Sequence, residues 1–125
     1  MEETPRISES EWEIMKVLWH ADKPVSANEI IDAVSVQVDW SPKTVRTLIT
    51  RLVQKKAVGI DQSGRTYAYY PIIAEEEGMK TETHSFLKRI GSYALKPVLV
   101  QFLSERRLSE KDIEELKSLL DERKE

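Results

Sequence analysis

Apolar residues recur along this chain with two different periods, and the change of period divides it. Over residues 9–54 the spacing is helical. Trp12, Met15, Leu18 and Trp19 share one apolar face, and Ala27, Ile30, Ile31 and Val34 share a second. Val45, Leu48, Ile49, Leu52 and Val53 make a third, on the i, i+3, i+4, i+7, i+8 spacing of a buried stripe. Each stripe follows a start signal. Ser8 with Glu11, and Ser26 with Glu29, have the spacing of capping boxes, and Ile7–Trp12 and Val25–Ile30 are placed as hydrophobic staples. Ser41 caps the third helix, with Pro42 at the first helical position, where a missing N–H costs nothing. The first helix is expected to stop near His20, ahead of Asp22-Lys23-Pro24, and a loop from Ser35 to Trp40 should precede the third.

After Lys56 the period shortens to two. Val58 and Ile60 alternate with Gly59 and Asp61, Tyr67 and Tyr69 alternate with Thr66 and Ala68, and Gln62-Ser63-Gly64-Arg65 between them is a turn signal. This predicts a β-hairpin, closed by Pro71. Three helices followed by a hairpin is the order of a winged helix-turn-helix module, with the hairpin as wing.

Beyond Glu75 the pattern is helical again. A fourth helix from Ala74 to Ile90 would put Met79, Thr83, Phe86, Leu87 and Ile90 on one face. A fifth, from Tyr93 to Leu103, is apolar nearly all round, and its Pro97 is tolerable only in the first turn. Ser109 caps a sixth, with Leu108 and Ile113 as staple and Leu116, Leu119 and Leu120 continuing the stripe. The fold class is therefore mostly α with a small β wing: a winged helix-turn-helix domain over residues 1–73 and a helical dimerisation domain over 74–125. A region of about fifty residues rarely holds a self-sufficient core, and a helix without a polar face needs more covering than two neighbours provide. A homodimer supplies it. The side chains assigned to that interface are Phe86, Leu87, Ile90, Leu95, Val98 and Leu99, with Phe102, Leu103, Ile113, Leu116 and Leu120.

Charge sharpens the picture. The chain of 125 residues carries a net −3, yet Ser41 to Arg65 holds six cations (Lys43, Arg46, Arg51, Lys55, Lys56, Arg65) against one acid, Asp61. That segment is +5 and the rest of the chain −8, so one basic element stands on an acidic body. The outward face of the third helix (Lys43, Arg46, Thr47, Thr50, Arg51, Gln54) contains no acid. A merely solvated face mixes both signs, whereas Lys, Arg and Thr suit phosphate oxygens and base edges. Lys43, Thr44 and Thr47 are the candidates for base edges, Arg46 and Arg51 for phosphates, and Ser41 for a phosphate through its backbone N–H. Thr50 and the wing's Arg65 complete the set. Lys55 and Lys56 complement the helix dipole and are further candidates for phosphate. The implied partner is a double-stranded DNA operator.

Other chemistries lack their residues. With no cysteine, disulfides and thiolate metal sites are excluded, which points to a cytoplasmic location. No apolar run approaches the roughly 18 residues of a membrane span, and Met1-Glu2-Glu3-Thr4-Pro5 lacks the apolar stretch of a signal peptide. His20 and His84 have no metal-like spacing with another ligand, so neither metal nor cofactor is expected. No Gly-rich phosphate loop, nucleophile elbow or Cys/His pair is present, and the reading is not an enzyme. Trp12, Trp19 and Trp40, and Tyr67, Tyr69 and Tyr70 on their strand, read as packing residues. The competing class is a winged-helix protein-interaction adaptor, which has no need of an acid-free third helix.

The segment Trp40-Ser41-Pro42-Lys43-Thr44-Val45-Arg46-Thr47-Leu48-Ile49-Thr50-Arg51-Leu52 closely resembles the recognition-helix signature of the BlaI/MecI penicillinase-repressor family. Ile7 to Met15, Ser26 to Ile31, Ser85-Phe86-Leu87 and Leu108 to Leu116 are similar to it as well, so the likeness runs from about Ile7 to Leu120. The resemblance implies a dimeric repressor of a β-lactamase or penicillin-resistance operon that binds inverted repeats with TACA/TGTA half-sites. It also implies release by proteolysis between the fifth and sixth helices, through a protease acting downstream of a membrane β-lactam sensor. The matching bond would be Gln101–Phe102, where characterised members have Asn in place of Gln101. The alternative within the family's fold is a repressor not regulated by cleavage. A sister branch senses copper through clustered cysteines, which this chain does not have.

Overall fold

A computed structural model describes residues 4–124. Helix caps set its first half. Helix α1 (Glu9–Trp19) starts on Ser8, whose hydroxyl accepts the Glu11 N–H while the Glu11 carboxylate accepts the Ser8 N–H. Helix α2 (Ala27–Ser35) repeats the reciprocal box with Ser26 and Glu29. Helix α3 (Pro42–Gln54) begins on Ser41 with Pro42 in its first turn. The three helices close on a core of Ile14, Met15, Leu18, Ile30, Val34, Val45, Leu48, Ile49 and Leu52. Ile14 corrects the expected face of α1: it is fully buried, while Trp12 and Trp19 are half-buried at the rim.

The sheet has one strand more than the hairpin pattern predicts. Strand β1 (Val25–Ser26) pairs antiparallel with β3 (Ala68–Pro71), which pairs antiparallel with β2 (Val58–Asp61), in the order β1-β3-β2. Two residues that read as a staple and a cap have no strand period of their own; Val25 and Ser26 extend because Tyr69 and Ala68 lie opposite. Tyr67, expected on the strand, falls outside it and is exposed. The ladder ends at the pair Asp61–Ala68, and the Asp61 carboxylate then accepts the Ser63 N–H at 2.9 Å, turning the chain.

Helix α4 (Glu75–Ile90) was expected to open the second domain at residue 74. Its first turns instead belong to the first compact unit, which runs to Ser85. Gly78 is buried against the indoles: a Cβ there would lie 2.9 Å from Trp19 Cη2 and 3.5 Å from Trp12 Cη2. The Trp19 indole N–H donates to the Ile73 carbonyl at 2.8 Å, and the two indoles meet edge to face at 5.1 Å. The side of α4 turned inward here is thus that of Gly78, and Met79, assigned to the packing face, is exposed.

The second unit begins at Phe86. Gly91, at φ 83°, breaks the helical path in a conformation that glycine adopts without strain. A 3₁₀ turn over Ser92–Ala94 leads into α5 (Leu95–Glu105), which starts later than expected and leaves Tyr93 outside it. Pro97 accordingly sits in the first turn, where its ring costs no hydrogen bond. Helix α6 (Glu110–Glu122) is capped by Ser109, whose hydroxyl accepts the Asp112 N–H. Among the described residues of this unit none is buried.

Candidate nucleic-acid interface

Four side chains pin α3 into the core: Val45, Leu48, Ile49 and Leu52. Their burial fixes the opposite face, so Ser41, Lys43, Thr44, Arg46, Thr47, Thr50 and Arg51 are all exposed together, as the sequence predicts. The threonines are not equivalent. The Thr44 hydroxyl lies 3.0 Å from the Ser41 hydroxyl within the cap. Thr47 donates its hydroxyl proton to the Lys43 carbonyl at 3.0 Å, and Thr50 donates to Arg46 in the same way at 3.0 Å. With that proton committed to the helix, Thr47 and Thr50 retain an acceptor lone pair and a methyl. That combination fits an exocyclic amine or a thymine methyl.

Arg46 reaches sideways. Its Nη2 donates to Asn28 Oδ1 at 3.0 Å, linking α3 to the start of α2. Beside this bond lies an open cleft of about 320 Å³ lined by Ser26, Ala27, Asn28, Arg46, Thr66, Tyr67 and Tyr69. The cleft brings α2, α3 and the wing to one side of the molecule. Asn28, Thr66 and Tyr67 are absent from the sequence-derived set. The one hint of Asn28 was its polar side chain in the first turn of α2, two positions after the Ser26 cap, since its partner stands 18 positions away. Arg65 is exposed in the loop between β2 and β3.

The two lysines at the end of α3 part company. Lys56 is exposed and adopts φ 65°, the left-handed turn that ends the helix, so that the Ala57 N–H reaches the Leu52 carbonyl at 3.0 Å. Lys55 turns away from the face: its ammonium pairs with the Glu11 carboxylate and donates to the Arg6 carbonyl at 2.9 Å. Its assignment as a phosphate candidate is therefore corrected, because the charge is already matched within the fold. Glu11 is 1% exposed. Burial alone would raise its pKa, but hydrogen bonds from Lys55 and from Ser8, with the Lys55 charge, outweigh burial and hold the carboxyl below its ordinary value.

Elsewhere, His20 Nε2 lies 3.7 Å from a Glu75 carboxylate oxygen, and His84 is exposed on α4. Among the described residues no three His, Asp or Glu side chains form a metal-holding group, and no helix is long and apolar enough to cross a membrane. The Gln101–Phe102 bond lies inside α5, not in the link between α5 and α6, with both side chains exposed and the Gln101 amide donating to Glu105 at 3.0 Å.

The chain matches the family model described as penicillinase repressor over residues 7–122. It is 37% identical to the penicillinase repressor of Bacillus licheniformis over 124 residues, 99% of this chain and 96% of that one. It is 34% identical to the methicillin resistance regulatory protein MecI of Staphylococcus aureus over 120 residues, 96% of this chain and 97% of that one. Among solved structures, it resembles the DNA-binding domain of the repressor BlaI with a TM-score of 0.54 and 39% identity, covering 62% of this chain and 93% of that domain. The monomeric Bacillus licheniformis BlaI in complex with the blaP half-operator gives the same TM-score of 0.54 and identity of 39%, covering 62% of this chain and 93% of that one. With the family model and both relatives matching across nearly the whole length, this chain belongs to the penicillinase repressor family.

Proposed function

We propose that the protein is a homodimeric, sequence-specific DNA-binding transcriptional repressor of β-lactamase or penicillin-resistance genes. The observation that carries this reading is the exposed face of α3, where Lys43, Arg46, Thr47, Thr50 and Arg51 stand together without an acid. Each protomer inserts α3 into a major groove, with Lys43, Thr44 and Thr47 toward base edges. Arg46, Arg51, the Ser41 N–H and the wing's Arg65 engage the flanking phosphates. The solved BlaI complex with a half-operator supports binding to operator DNA, and the names of the relatives support the class of target genes.

The dimer is supported by the second unit. Leu99, Phe102 and Leu103 on α5, and Leu116, Leu119 and Leu120 on α6, are between 45% and 70% exposed in the single chain. Burying such surface against a second copy recovers about 25 cal/mol for each Å² removed from water. Dimerisation makes the second half-site an intramolecular event, multiplying operator affinity. Release follows from cutting Gln101–Phe102. Because that bond lies within α5, a protease must unwind the helix that carries the dimer surface.

Fluorescence anisotropy tests this reading on a duplex bearing a TACA/TGTA inverted repeat, beside a scrambled duplex, across a salt series. The expected result is two protomers per repeat, a preference for the repeat, and a log–log salt slope that steepens by about 0.9 per phosphate contact. Equal, weak binding to both duplexes would remove the operator assignment. No binding at low salt would overturn the DNA reading in favour of an adaptor.

A further inference from the structure

The cations of α3 are handled in two ways. Lys55 is matched by a buried carboxylate and withdrawn. Arg46 is held by a neutral amide oxygen, Asn28 Oδ1, at 3.0 Å, and remains exposed. The neutral acceptor leaves the guanidinium charge undiminished and occupies only one of its N–H donors, so the others remain free to fork onto an anion. Both partners are exposed, and a hydrogen bond between exposed groups adds little to folding stability. Its effect is conformational: an arginine otherwise samples many rotamers, and each side chain immobilised on binding weakens association. A contact that restricts the side chain beforehand lowers that cost. The bond also sets direction, turning Arg46 toward the cleft between α2 and the wing where Thr66 and Tyr67 lie.

We infer that Asn28 is a positioning residue for DNA binding: it presets Arg46, across the gap between α2 and α3, to grip a backbone phosphate at the mouth of this cleft. The inference rests on the DNA reading of the same face. It is tested with the full chain and the TACA/TGTA duplex, using Asn28→Ala, Arg46→Ala and the double variant. Asn28→Ala should weaken binding about three- to tenfold with an unchanged melting temperature and an unchanged salt slope, since no charge is lost. Arg46→Ala should flatten the slope by about one unit. The double variant should bind no more weakly than Arg46→Ala alone, because Asn28 acts only through Arg46. Losses that multiply in the double variant, or wild-type affinity in Asn28→Ala, would overturn the inference while leaving the DNA reading intact. Wild-type protein that ignores the duplex at low salt would overturn both.

Discussion

Between Ile7 and Ile73 fourteen apolar side chains are buried; from Phe86 to Lys124 none is. Yet the two regions are written in the same grammar of serine caps, staples and apolar stripes. In the first region the stripes of α1, α2 and α3 meet one another and the sheet, and packing finishes within one chain. In the second, α5 and α6 keep half or more of several large apolar side chains in water. A capped, striped helix therefore declares that it has a face to bury. It does not declare where the cover comes from. The contrast also bears on our proposal: the finished unit anchors α3, on whose outer face we place DNA recognition, through four buried side chains, and the unfinished one is the surface on which we place dimerisation.

The contrast breaks most sharply at Phe102, which is 52% exposed. In sedimentation experiments Phe102→Asp should raise the dimer dissociation constant at least about a hundredfold, since a charge would be buried at the interface in each protomer. The thermal transition of the first unit should be unaffected, because none of its fourteen buried residues comes from α5. An intact dimer would move the interface elsewhere.

The next effect lies within the finished core. Glu11→Gln should cost about 2 kcal/mol in denaturant unfolding, less than a fully buried pair because Lys55 is 35% exposed. The wild-type pH profile follows from the same carboxyl. Its pKa in the folded chain is lowered from 4.5, so its stabilisation is complete above that value and is lost as pH falls through the lower folded value. The variant should lack this acid-side component. An unaltered profile would mean that Glu11 and Lys55 do not form their pair in solution.

The smallest effect sharpens the division among the cations of α3. Arg51→Ala should flatten the log–log salt slope of DNA binding by about one unit, whereas Lys55→Ala should leave the slope unchanged, since its charge is matched by Glu11. Equal flattening in both would return Lys55 to the phosphate-contacting set.

Much of this was legible along the chain because it depends on neighbours in sequence. A cap and its third residue are close whatever the fold, so the starts of α1, α2, α3 and α6 fell where Ser8, Ser26, Ser41 and Ser109 placed them. The exposed face of α3 followed from the burial of its other face. What escaped depends on partners far away in the chain. Val25–Ser26 becomes a strand only because β3 lies beside it. Gly78 docks α4 only because two indoles from α1 wait there, carrying the compact unit to Ser85.

The sequence by itself determined the helices, the wing, the acid-free face of α3 and the family, because periodicity and capping act over three or four residues and a motif is carried whole in the chain. Only the tertiary structure decided which of those cations are free. Lys55 is spent on Glu11, 44 positions away, and Arg46 is steered by Asn28, 18 positions away. A charge acts through what lies within a few ångströms of it, and that neighbourhood exists only once the chain has folded.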